Sequence, residues 1–167
     1  MPRFILLSGP SGTGKTSYRD ALIADNPEIV LASSDDLIDA FAEADGTSYA
    51  EAYLAHHVAA QEQVHAIVAE AVAEERDVIW DQTNLSVERR AEALALAGDH
   101  TTIAVAVEAP WSVIIKRVKD RRKATGKDIP VGVLEKQHDL YRRPHFDEGF
   151  DHVVLVKHPG PKVERIA

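Results

Sequence analysis

Short runs of consecutive apolar residues alternate along the chain with longer amphipathic stretches. Phe4 to Leu7 is fully apolar and stops at Ser8-Gly9, the pattern of a strand buried on both faces of a parallel sheet. A helix is expected from Ser17 to Ala24, broken at Asn26-Pro27. Ile29-Val30-Leu31 forms a second apolar run, which ends at Ser33-Ser34-Asp35-Asp36. Ser34 is the expected cap of a helix through Phe41. Beyond a turn at Asp45-Gly46-Thr47-Ser48, the stretch from Tyr49 to Arg76 contains neither Gly nor Pro. Leu54, Val58, Val64, Ile67, Val68 and Val72 approximate one face of a long helix there.

The second half continues the alternation. Val78-Ile79-Trp80 predicts a third strand ending at Asp81, and Ser86 caps a helix to Ala97. Thr102 to Val107 predicts a fourth strand. Pro110, at a first helical position, opens a helix to about Lys123. Gly126 to Pro130 reads as a loop, Val131 to Tyr141 as a helix, and His152 to Val156 as the last strand. Pro159-Gly160-Pro161 is expected to end regular structure. Strands alternating with helices predict an α/β fold, a parallel sheet covered on both faces. Chemistry in such folds gathers at the carboxyl ends of the strands, which here lead into Gly9, Asp35 and Asp81. No repeat or linker divides the 167 residues, so a single domain over 1–167 is expected.

Composition narrows the classes. There are no cysteines, which removes disulfide frameworks, zinc–thiolate sites, iron–sulfur clusters and cysteine nucleophiles. No apolar run approaches the ~20 residues of a membrane span. The opening Met1 to Leu7 is too short for a signal peptide, and the expected compartment is the cytoplasm. Net charge is −8. Seven basic residues nevertheless fall between Lys116 and Lys127, opposed within that stretch only by Asp120. One local anion site on an acidic body is the implied picture.

Gly9-Pro10-Ser11-Gly12-Thr13-Gly14-Lys15-Thr16 fits G-x-x-x-x-G-K-[ST], between a predicted strand and a predicted helix. Glycines let the backbone wrap so that successive N–H groups point at phosphate oxygens. The helix behind presents its positive end to the anion. Gly9, Ser11, Gly12, Thr13 and Gly14 supply the cradle, Lys15 a charge on the β/γ phosphates, and Thr16 a hydroxyl for Mg²⁺. ATP with Mg²⁺ is the implied ligand. The chain has no guanine-reading N-K-x-D and little room for a motor's transmission elements, which leaves small kinases in front.

Asp35, beyond the second strand, is positioned to accept an acceptor hydroxyl's proton. Asp36 reads as a helix-dipole residue. Asp81, at the end of an apolar strand beside the glycine loop, resembles a Walker B carboxylate near Mg²⁺. Thr83 and Asn84 either orient this region or make a turn. The basic run into Thr125-Gly126-Lys127-Asp128 reads as a lid, about residues 116–130, closing over ATP. The eight histidines show no metal-ligand spacing, and Trp80 and Trp111 read as core.

Four blocks carry a family resemblance: GPSGTGKTS from Gly9, SSDDL from Ser33, VIWDQTNLSVERR from Val78, and EAPWSVIIKRVKDRRK with DIPVGVLEKQHDLYRRP from Glu108. In this order they resemble the 5′-hydroxyl polynucleotide kinase domain of phage and bacterial nucleic-acid end-healing enzymes. The resemblance implies a P-loop kinase core with a four- to five-stranded parallel sheet. It implies transfer of the ATP γ-phosphate to a 5′-hydroxyl of DNA or RNA. Lys15 and Thr16 match the phosphate and Mg²⁺ ligands, and Asp35 the general base. Arg121, or its neighbour Arg122, matches the lid arginine, with Arg117 assisting one turn earlier. The chain departs from some members at Ile38, where an Arg three residues after the base contacts the acceptor phosphate. The acidic Asp35-Asp36-Leu37-Ile38-Asp39 neighbourhood keeps a second acceptor class in view: a small-molecule hydroxyl or a hydroxymethylated base. A nucleotide-dependent assembly ATPase is the third reading.

Overall fold

A computed structural model describes residues 1–157 and the backbone of 162–166. In chain order the elements are β1 (Arg3–Ser8), α1 (Lys15–Asp25), β2 (Val30–Ser33), α2 (Ser34–Asp45), α3 (Tyr49–Ala73), β3 (Val78–Asp81), α4 (Val87–Leu94), β4 (Thr101–Glu108), α5 (Trp111–Thr125), α6 (Val131–Leu140), β5 (His152–Lys157) and β6 (Lys162–Ile166). The strands form one sheet in the order β2-β3-β1-β4-β5-β6. The first five are parallel and β6 is antiparallel to β5.

The apolar runs become strands because both faces of the sheet are covered. On β1, Phe4 and Leu6 join a core with Val64, Val68, Trp80 and Ala93, contributed by α3, β3 and α4. Ile5 and Leu7 point to the other side, where Tyr18, Leu22 and Ile23 of α1 pack with Ile79 and Val105. Alternate residues of one strand thus feed two cores. α5 and α6 share a smaller cluster of Ile114, Val118 and Leu134. α2 and α3 share another, of Ile38, Ala52 and Ala60.

Several expectations need correction, among them the apolar face of α3 at Leu54 and Val58, which are exposed. α1 starts at Lys15 rather than Ser17, because Gly14 turns the chain in the left-handed region at φ 109°. Lys15 and Thr16 are therefore in the helix's first turn. The cap of α2 is Ser33 rather than Ser34; its hydroxyl accepts from the Asp36 amide at 3.3 Å. That helix runs past Phe41 until Gly46 ends it. The sheet does not end at β5. A sixth strand follows, and the expected stop at Pro159-Gly160-Pro161 lies outside the described residues. Trp80 is core at 4% exposure, but Trp111 is 38% exposed, with its ring edge-on to His138. Among the described residues no helix is long and apolar enough to cross a membrane.

Candidate functional site

The Gly9–Thr16 loop leaves β1 at the carboxyl end of the sheet. It is built on close backbone approaches. At Gly9 (φ 150°) an added Cβ would sit 2.3 Å from the Val107 carbonyl oxygen of β4. At Gly12 (φ 83°) it would press on Val118 and Ile114 of α5 at 3.1 and 3.2 Å. Neither position accepts a larger residue without moving a neighbour. The Gly9 amide donates to the Thr83 carbonyl at 2.9 Å, and Asn84 Nδ2 to the Leu7 carbonyl at 2.7 Å. Thr83 and Asn84 therefore fasten the end of β3 to the base of the loop. Asn84 is buried and left-handed at φ 43°. Its carbonyl accepts from Ser8 and from fully buried Arg90, whose guanidinium is paired with Glu148 at 2.7 Å. The double arginine of the third block is thus, at Arg90, part of the scaffold.

Lys15 reaches back over the loop. Its Nζ donates to the carbonyls of Gly9 and Pro10 at 2.7 and 3.0 Å. Burial lowers its pKa to about 8, against the pull of Asp81 and Asp35, and Arg121 lowers it further. Lys15 thus feels Asp35, Asp81 and Arg121 together. Thr16 is exposed in the same helical turn. Ser11 donates its amide to Gln137 Oε1 of α6 at 2.8 Å. Thr13 is buried, with its hydroxyl on the Pro10 carbonyl at 3.0 Å.

The basic segment divides into distinct environments. Arg117 donates to the carbonyls of Thr13 and Gly12 at 2.9 and 3.3 Å, bracing the loop through its carbonyl oxygens. Arg121 lies near Lys15, and its buried Nε has no hydrogen-bond partner. Leaving such a group unpaired costs about 1–3 kcal/mol. Arg122 points elsewhere: it is 66% exposed and 3.6 Å from Asp128. Between the two expected lid arginines, the structure brings Arg121 to the loop. α5 itself is continuous to Thr125, and the segment before α6 crosses to α2. There Lys127 Nζ lies 3.1 Å from Asp39, 3.6 Å from Asp35 and 3.7 Å from the centre of the Tyr49 ring.

Asp35, in the first turn of α2, and Asp81, the last residue of β3, differ. Asp35 is exposed, and one oxygen accepts from the Tyr49 hydroxyl at 2.7 Å. Burial first, and Asp35 next, push the Tyr49 phenol far above its ordinary range, so it stays a donor. Asp81 is buried and takes Arg19 Nη1 at 2.8 Å. Burial pushes its carboxyl up, against Lys15 and Arg19. Asp36, read as a dipole residue, also pairs with Arg19, at 3.0 Å. Arg19 was not among the expected site residues, although it lies one turn after Lys15 on α1. Tyr49 and Gln137 were also missed, because they reach the site only through tertiary contacts, and Lys127, expected in the lid over ATP, lies instead against Asp35 and Asp39.

The residues suit a magnesium nucleotide. The loop presents a glycine cradle with Lys15 and Arg121 beside it. Thr16 and Asp81 are oxygen donors of the kind Mg²⁺ takes. Among the described residues no group of three or more His, Cys, Asp or Glu is arranged to hold a metal.

Residues 4–144 match a family described as AAA domain. Of solved structures, a protein from Chloroflexus aurantiacus assigned as a kinase is similar at TM-score 0.72 and 21% identity, over 93% of this chain and 88% of that one. A chain of the Pnkp1/Rnl/Hen1 RNA repair complex is similar at 0.67 and 23%, over 83% of this chain and 43% of that one. A gluconokinase from Sinorhizobium meliloti is similar at 0.60 and 19%, over 96% and 85%. No curated protein matches the sequence.

Proposed function

The chain belongs to the AAA domain family and has a P-loop kinase fold, and from that premise we propose that it is an ATP-dependent kinase transferring the γ-phosphate to a 5′-hydroxyl end of DNA or RNA. One observation carries the reading: Asp35, held by Tyr49 and exposed, acts electrostatically on Lys15 of the phosphate loop, as does Arg121, whose Nε is buried without a hydrogen-bond partner. Likeness to a component of an RNA repair complex supports the acceptor class, as do the four sequence blocks.

The chemistry follows from the residues. Tyr49 holds one oxygen of Asp35, and the other accepts the proton of the acceptor hydroxyl. The acceptor oxygen bonds to the γ-phosphorus as the bond to the β–γ bridging oxygen breaks, and ADP leaves with that electron pair. Lys15 and Arg121 balance the charge on the phosphoryl oxygens. Mg²⁺, held at Thr16 with Asp81 behind it, would neutralise β- and γ-oxygens. Arg19 keeps Asp81 and Asp36 paired at the back of the site.

Lys15 ties ATP binding to pH. Its free pKa is about 8, and a bound triphosphate favours the protonated form. Binding therefore takes up a proton above pH 8, and affinity falls as pH rises. ATP binds about tenfold more weakly at pH 9 than at pH 7. Calorimetry in two buffers of different ionisation enthalpy reads the proton directly. Proton release, or a flat profile, would remove Lys15 from the phosphates.

The second reading keeps the reaction and changes the acceptor to a small-molecule hydroxyl or a hydroxymethylated base. The acidic surroundings of Asp35, with Asp36 and Asp39, favour it, and so does the likeness to a gluconokinase. Salt separates the readings. KM for a strand acceptor rises between 50 and 200 mM salt, because phosphate contacts release counterions. KM for a neutral small acceptor stays level.

A further inference from the structure

We propose that Gln137, on α6, is a positioning residue of the phosphate loop: its side-chain oxygen fixes the peptide unit between Pro10 and Ser11 so that the Pro10 carbonyl stays turned to the Lys15 ammonium. The inference rests on the reading of this loop as the ATP site, and it adds to that reading a residue outside the loop.

A single peptide unit links Gln137 to Lys15. Its N–H, that of Ser11, donates to Gln137 Oε1 at 2.8 Å. Its carbonyl, that of Pro10, accepts from Lys15 Nζ at 3.0 Å, from the Thr13 hydroxyl at 3.0 Å and from the Thr13 amide at 3.4 Å. The N–H and C=O of a trans peptide point to opposite sides. Holding the N–H on α6 therefore holds the carbonyl on the Lys15 side. A flip of this unit, about ψ of Pro10 and φ of Ser11, would take the carbonyl away from Lys15 and Thr13. It would turn an N–H toward the ammonium instead, a donor facing a cation.

Gln137 can hold the unit because α6 is packed against the loop. Leu134, one turn before Gln137, is buried with Ile114 and Val118 of α5. Those are the two side chains that an added Cβ at Gly12 would meet. The accepting oxygen thus comes from a regular helix, which holds a side chain more tightly than a loop does. Gly9, Pro10 and Gly12 around Ser11 supply no side-chain oxygen that could replace it. The bond matters most once ATP is present. A triphosphate draws the Lys15 ammonium toward its β/γ oxygens, and the Pro10 carbonyl then loses part of its hold. Gln137 grips the other end of the unit, on the side away from Lys15, and keeps its bond.

The test uses the full chain and reads Mg-ATP affinity by calorimetry, which needs no acceptor. Gln137→Met keeps the length of the side chain and removes the accepting oxygen; it weakens ATP by about 3- to 10-fold, the worth of one hydrogen bond. Gln137→Glu keeps an oxygen for the Ser11 N–H and stays within about twofold of the parent. On a Lys15→Met background, Gln137→Met weakens ATP no further, because it acts through Lys15. Parent-like affinity of Gln137→Met overturns the proposal. So does an undiminished loss on the Lys15→Met background, or a loss at Gln137→Glu equal to that at Gln137→Met. If the affinities behave as expected and no 5′-hydroxyl strand is phosphorylated, the acceptor reading falls and the role of Gln137 stands. If the parent binds no ATP, both fall.

Discussion

Arg121→Ala lowers the rate of phosphoryl transfer by about 10³–10⁵-fold, the range for an arginine acting on the charge of the transferring group. The side chain is already where such a group belongs. Its Nε is buried without a hydrogen-bond partner, and its charge already acts on Lys15 of the phosphate loop. ATP binding falls much less than the rate, because loop amides and Lys15 remain. Arg121→Lys does not restore the rate, since an ammonium lacks the planar fork. Arg122→Ala is the control. That side chain is 66% exposed and 3.6 Å from Asp128, and its loss changes the rate by about twofold or less, as for an exposed ion pair. Single-turnover rates with saturating ATP separate the two. A large loss at Arg122 with none at Arg121 would mean that the helix closes in another register.

Asp35→Asn lowers transfer by about 10²–10⁴-fold, the usual worth of a positioned base. The substitution keeps shape and leaves an oxygen to accept from Tyr49, so the neighbourhood is expected to stay folded. It removes the group that takes the acceptor proton. KM for ATP stays within a few-fold, because Asp35 makes no hydrogen bond to the loop and Asp81 remains as the larger charge acting on Lys15. The same change at Asp36 has a different expected character, since Asp36 pairs with Arg19 and not with Tyr49. Near-full activity of Asp35→Asn would end the general-base assignment and leave charge balance against Lys127 as its role.

The strands were readable because each is a short apolar run buried on both faces, and the phosphate loop because its spacing has a mechanical cause. Asp35 and Asp81 were singled out by rule, as residues just at or beyond the ends of strands. That rule does not tell one carboxylate from the other. Burial does: Asp81 is paired with Arg19, whereas Asp35 is open and oriented by Tyr49. Tyr49 comes to Asp35 across the turn between α2 and α3, and Lys127 comes from a loop 88 residues beyond Asp39. Local patterns carry no record of such contacts. The choice between Arg121 and Arg122 turned on a rotation of one residue around α5, which the helix's packing on Gly12 decides. β6 was missed for a simpler reason: a Pro-Gly-Pro stretch reads as an end, and an antiparallel edge strand after it gives a weak pattern.

The proposed reaction moves the γ-phosphate of ATP onto a 5′-hydroxyl. Its most direct test supplies purified protein with Mg²⁺, γ-labelled ATP and two strands of one sequence, one with a 5′-hydroxyl and one already 5′-phosphorylated. Label on the 5′-hydroxyl strand alone is the predicted result. Label on neither strand, with ATP binding intact, would contradict it and turn the search to small-molecule or modified-base acceptors.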